Sequence, residues 1–221
     1  LTRVARAAAL AAAPTAALLT LNGFYLGAAY RASPALFWLL DALQFAVVPA
    51  ASLWALARFA GVRPRDYGLG PLTGAHGPLV ALPVYALVVA VCVLGYGTGR
   101  LLTLFIAVEW GATGFDYRQA IPRSLVASVL VLLYLSLSAG LVEEIIFRGL
   151  PALCLPAHLY PVVSAAAFAA IHWESGSRVV VTAFALGLVL AALYLWLRNL
   201  WPFVAGHALT DMLAFTGSYA Y

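Results

Sequence analysis

The stretch Ser124-Leu-Val-Ala-Ser-Val-Leu-Val-Leu-Leu-Tyr-Leu-Ser-Leu-Ser-Ala-Gly-Leu-Val-Glu143-Glu144-Ile-Ile-Phe-Arg148 decides the fold class of this chain. It is an apolar run of about the 20 residues that a helical membrane span needs, and it ends on two adjacent carboxylates and an arginine. The rest of the chain is of the same kind: 65% of its 221 residues are hydrophobic, 9% are charged and the mean hydropathy is +0.99. Soluble domains have only about 45–50% apolar residues. In lipid every backbone N–H and C=O must be satisfied within the protein, which favours helices. The sequence therefore predicts an all-α, polytopic membrane helix bundle of seven to eight transmembrane helices. It is read as a single integral membrane domain over 1–221, with N-terminal helices in 1–120 and a core of four helices in 121–219.

Outward from that stretch, apolar segments run at 7–30, 35–57, 78–98, 124–147, 160–173, 178–198 and 201–219. The first is too long for the core of a signal peptide, about 7–15 residues, and reads as a transmembrane helix. Residues 101–112 follow the glycine-rich Gly95-Tyr-Gly-Thr-Gly99 and contain Glu109, and they read as an interfacial or half-inserted helix. The net charge of +4 comes from twelve arginines and no lysine. These are spread too thinly for a nucleic-acid surface and suit loops facing lipid headgroups. The loop Arg58 to Asp66 is the most basic connection, which by the positive-inside rule places it in the cytoplasm. Arg3 and Arg6 put the N-terminus on the same side. Cys92 and Cys154 have neither disulfide nor metal-ligand spacing and read as packing residues.

Ionisable residues at membrane depth cost several kcal/mol, from roughly 2.5 upward, and mark functional sites. Residues four apart share a helix face, so Glu144 stacks with Arg148 in the favoured acid-before-base order, while Glu143 points about 100° away. The plainer reading, two acids ending a helix at the interface, opposes the helix macrodipole. Phe168 and His172 are four apart on one helix, and His207 and Asp211 on another. Three apolar helices thus carry polar groups that need a shared interior. Glu143, His172, His207 and Asp211 suit metal-free activation of water; they would equally suit a zinc ion, and the spacing does not decide. Asp41 reads as structural, paired with an arginine or lining an access path. Glu109, His76 and His158 read as bystanders.

Glu143-Glu144-x-x-x-Arg148, Phe168-x-x-x-His172 and His207-x-x-x-Asp211 resemble, in order, the three motifs of the CPBP family: CAAX prenyl protease 2 and bacteriocin-processing membrane proteins, also called the ABI family. The resemblance covers 124–219 and implies a catalytic core with a glutamate-type intramembrane endopeptidase activity. By that analogy Glu143 activates water with help from His172, and His207 with position 211 stabilises the oxyanion. Glu144 and Arg148 hold the site together. The family frequently has Asn where this chain has Asp211. An ionised Asp donates no hydrogen bond, so Asp211 is expected to orient or charge His207, or to be protonated. The resemblance implies a membrane-associated or lipidated protein or peptide as substrate, no cofactor with zinc the less favoured option, and no nucleic-acid partner. It also implies a multi-pass location in a bacterial inner membrane. The readings from other classes are a non-catalytic immunity or chaperone-like membrane partner, and a small transporter with a proton relay. The lack of an internal repeat counts against the transporter.

Overall fold

The computed structural model describes residues 2–73, 77–105, 110 and 115–217; His76 and Glu109 lie outside the described residues. The described chain is helical, without strands, in seven helices: α1 (Arg3–Ala32), α2 (Pro34–Ala60), α3 (Pro78–Leu102), α4 (Leu125–Cys154), α5 (Tyr160–Ala170), α6 (Ser177–Leu197) and α7 (Trp201–Phe215). Their starts follow ordinary capping chemistry. The Thr2 hydroxyl accepts from the Ala5 amide at 3.1 Å, Ser124 caps α4, and prolines sit in the first turns of α2, α3, α5 and α7. Gly61, at φ +70°, closes α2 in the left-handed conformation that glycine adopts freely.

Five helices, α1 to α4 and α6, are long and apolar enough to cross a membrane. The others of the expected seven to eight spans are shorter, α5 with 11 residues and α7 with 15. At 1.5 Å per residue they reach about 16 and 22 Å, so they end inside the thickness of the bundle. Within the core, α5 packs on α6, and α7 lies between α3 and α4. α1 packs along α2 and touches the end of α4.

Two boundaries differ from the sequence expectation. Gly95 and Gly99 do not loosen the chain; α3 runs through them to Leu102 and ends in a 3₁₀ turn, Thr103–Phe105. They are contact residues, because a Cβ at Gly95 would lie 2.9 Å from Leu186 and one at Gly99 2.7 Å from Thr182, both on α6. The start of 101–112 is therefore the tail of α3 rather than a separate interfacial helix, and apart from Trp110 the remainder lies outside the described residues. Second, α4 does not stop near residue 147. It passes through a π-helical turn, Ile145–Gly149, closed by the Leu150 amide on the Ile145 carbonyl at 2.9 Å, and continues to Cys154. All five residues of that turn are buried.

The basic N-terminus and the basic loop adjoin one another, with an Arg3 guanidinium donating to the Phe59 carbonyl at 3.3 Å. Cys154 at the end of α4 reaches the Ala5 carbonyl, at 3.3 Å from its sulfur. Glu143 lies eleven residues before Cys154, about 16 Å along the helix axis.

Asp41 is fully buried and, among the described residues, meets no arginine: Tyr134 donates to it at 2.8 Å. Beside it Gln44, in a second π turn (Leu43–Val47), accepts from Tyr25 at 2.7 Å and donates to Tyr117 at 3.0 Å. A polar network thus ties α1, α2 and α4 to the 3₁₀ turn Tyr117–Ala120.

Candidate active site

The site is assembled where α7 approaches α4 most closely. A Cβ at Gly140 would sit 3.1 Å from the Val204 carbonyl oxygen and 3.2 Å from the Ala208 nitrogen, and one at Gly206 would sit 2.7 Å from the Cys92 sulfur of α3. Glycine at both positions lets α7 seat between its neighbours. Its His207 then lies one turn beyond Gly140, against the glutamates. The π turn follows directly and buries Arg148 beneath them, and π turns recur at functional sites.

Glu144 is fully buried and its Oε1 accepts twice, from the Arg148 guanidinium and from His207 Nδ1 at 2.8 Å. Arg148 lies over the Phe168 ring, 4.9 Å from its centroid. The same ring meets both imidazoles edge-on, His172 at 4.8 Å and His207 at 5.8 Å. Both histidines are thus brought to one aromatic platform, although they end and begin helices separated by a full crossing. The shortness of α5 and α7 makes this possible. His172 Nδ1 lies 2.9 Å from the Phe168 carbonyl. A carbonyl only accepts, so that nitrogen carries the proton and Nε2 presents a lone pair.

His207 Nε2 faces two carboxylates, Glu143 Oε2 at 3.7 Å and Asp211 Oδ2 at 3.6 Å. Asp211 thus stands beyond hydrogen-bond reach of Nε2, and it is Glu144 that orients the ring through Nδ1. Of the roles expected of Asp211, to orient or charge His207 or to be protonated, a direct hydrogen bond to Nε2 is the one its 3.6 Å separation does not provide, and Glu144 meets His207 as well as Arg148. Glu143 is buried, and its Oε2 has no hydrogen-bond partner among the described residues. Glu143, His172, His207 and Asp211 line one cavity of about 220 Å³. A smaller cavity, about 50 Å³, shares His172, His207 and Asp211 with it and is lined also by Glu144, Arg148 and Cys92.

The same large cavity has a second acidic end that the spacing of the sequence did not reveal. Glu174, two residues past His172, is buried in the 3₁₀ turn Trp173–Ser175 and lines the cavity with Asn22. Its carboxylate presses on the backbone of α1 at Gly23, where a Cβ would overlap Oε2 at 1.8 Å. Trp173 pins this turn by donating to the Thr20 carbonyl at 2.7 Å. Burial pushes the Glu174 carboxyl up to about 7. Tyr117, hydrogen bonded to Gln44, lines the cavity as well. Among the described residues no three His, Cys, Asp or Glu side chains form a group that could hold a metal ion. His158 is exposed.

Residues 125–213, from the start of α4 to near the end of α7, match the family model described as Type II CAAX prenyl endopeptidase Rce1-like. The match supports the CPBP assignment read from the three motifs. No curated protein and no solved structure is matched.

Proposed function

With residues 125–213 belonging to the Rce1-like, CPBP-type endopeptidases, we propose that the chain is an intramembrane endopeptidase in which Glu143 activates the attacking water. The observation that carries this reading is the position of Glu143, whose unpartnered Oε2 lies beside His207 Nε2 in a cavity shared with His172 and Asp211. Glu143 takes a proton from water as the oxygen attacks the peptide carbonyl carbon. The C–N bond then breaks, and the proton passes from Glu143 to the departing amine. His172 Nε2 accepts a hydrogen bond from the water's second O–H, which stays on the attacking oxygen, and fixes its approach. When His207 Nε2 carries a proton it donates to the oxyanion, with Glu144 holding the ring from behind. Asp211 balances charge at that nitrogen. Glu144, Arg148 and Phe168 keep the assembly in register.

The substrate in this reading is a membrane-associated or lipidated protein or peptide, cleaved without a metal. The same reading has the protein in a bacterial inner membrane with Arg3 and the Arg58–Asp66 loop on the cytoplasmic side, as the positive-inside rule favours. The test compares protein termini in cells carrying wild type and Glu143→Gln, because a terminus that disappears identifies substrate and bond together. Loss of a general base lowers the rate by about 10²–10⁴-fold. Full activity in both Glu143→Gln and His172→Ala would overturn the mechanism and favour a non-catalytic partner protein. Stoichiometric zinc in active purified protein would replace the metal-free version.

A further inference from the structure

The two cavities of the site meet at a wall formed, among the described residues, by four side chains: His172, His207, Asp211 and Tyr96. Three of them belong to the motif segment, whereas Tyr96 comes from α3, which precedes it. Helix register explains its place. Gly206 of α7 seats against Cys92 of α3, where a Cβ would lie 2.7 Å from the sulfur. One turn further along α3 is Tyr96, and one turn further along α7 are Thr210 and Asp211. The two helices advance in the same direction, because Cys92 lines the small cavity while Tyr96, Asp211 and Ala214 line the large one. Tyr96 therefore stands beside His207 and Asp211.

The wall is rich in acceptors and poor in donors. Glu143 and Asp211, as carboxylates, only accept. His172 gives its Nδ1 proton to the Phe168 carbonyl and presents Nε2 as a lone pair. The Thr210 hydroxyl donates to the Gly206 carbonyl at 2.8 Å, and Arg148 is engaged by Glu144. His207 Nε2 supplies one donor when protonated. The other donor on the shared wall is the Tyr96 phenol, and it adds a hydrogen bond without adding a charge.

We propose that Tyr96 is a further catalytic residue, whose phenol donates a second hydrogen bond to the oxyanion beside His207 Nε2. The proposal rests on the endopeptidase reading of the same site. As the water oxygen adds to the peptide carbonyl carbon, the π pair of the C=O bond moves onto oxygen. The phenol O–H tightens on that developing charge and keeps its proton throughout. Such a contact is stronger in the transition state than in the bound substrate, so it acts on kcat rather than on KM.

The probe is a randomised, N-acylated peptide library, half C-terminal carboxylates and half carboxamides, presented to the protein in proteoliposomes. Products are identified by mass spectrometry, and the fastest-cleaved peptide is resynthesised for kinetics. Tyr96→Phe keeps the ring and removes only the hydroxyl. Its kcat is expected to fall about 10²-fold, the scale of losing one oxyanion donor, with KM within about twofold. In a Glu143→Gln background, affinity for the same peptide should be the same with Tyr or Phe at position 96. Asp211→Asn places an amide donor beside the missing phenol, so Tyr96→Phe combined with Asp211→Asn should lose less than the product of the two single losses. A packing role for Tyr96 gives no such rescue. A Tyr96→Phe variant that keeps a third or more of the wild-type kcat, that loses as much affinity as rate, or that is not rescued by Asp211→Asn overturns this proposal and leaves the endopeptidase reading standing. Absence of cleavage by wild type overturns that reading, and the proposal with it.

Discussion

His207 is held by Glu144, through Nδ1 at 2.8 Å, and not by Asp211, its partner one turn along the same helix, which stands 3.6 Å from Nε2. The carboxylate across the helix interface therefore sets the ring, and the one on its own helix sits on the reacting side. Glu144→Gln is expected to lower kcat by about 10²-fold or more, the scale of losing an oriented acid–base partner. Asp211→Asn should keep at least a tenth of the activity, because an amide fits the same space and can donate. Single-turnover rates with a cleaved peptide test the order; a larger loss in Asp211→Asn would reverse these roles.

Glu144→Ala has a second consequence, on folding. Arg148 is 1% exposed and its guanidinium bonds Glu144. Truncating the acid strands a buried charge, at a cost of about 3–5 kcal/mol. The melting temperature in detergent should fall well below that of Glu144→Gln, which preserves an acceptor for Arg148.

Gly140 offers a steric test of how α7 is seated. Its Cβ position lies 3.1 Å from backbone on α7, so Gly140→Leu forces the helices apart at a cost of about 1–3 kcal/mol and withdraws His207 from Glu144. Activity should fall further than stability. Gly70→Leu, at a position with open space around the missing Cβ, is the control.

The buried Glu174 gives a dependence of stability on pH with a definite sign. Its folded pKa, raised to about 7, lies above that of an ordinary glutamate, about 4.3. Its contribution is therefore full below the unfolded value and is lost as pH rises through the folded one, over the interval from about 4.3 to 7. Glu174→Gln removes the titrating group. The stability of wild type relative to this variant should decline across that window by up to about 3.5 kcal/mol, less what solvent screening removes, and stay level above it. Paired thermal melts between pH 4.5 and 8 read this directly, and parallel curves would refute it.

Spacing made much of this molecule legible. The i, i+4 pairs Glu144–Arg148, Phe168–His172 and His207–Asp211 reflect helix geometry alone, and the apolar runs located all seven helices. What the spacing missed depends on residues distant in sequence. Glu174 has Arg178 four residues on, but that spacing does not reveal its place in the cavity, and only Gly23, from a different helix, explains how a carboxylate is accommodated there. The π turn hides because Gly149 and Pro151 look like a helix stop, whereas the chain absorbs one extra residue and continues. Gly95 and Gly99 looked flexible because their contacts belong to α6. The contact of Glu144 with His207 arises at a helix crossing that no single-helix pattern encodes.

The contacts of Trp173 with Thr20, of Glu174 with Gly23, and of Cys154 with Ala5 all join the family segment to α1. They bear on modularity. The segment 125–213 carries the motifs, but one wall of its chamber is contributed by a helix that precedes it by a hundred residues. Transplanted behind an unrelated leading helix, the segment is expected to keep its motif spacing and lose the shape of its chamber, unless the new neighbour offers a residue without a side chain where Glu174 rests. In this chain the boundaries of recognisable ancestry and of a working part do not coincide.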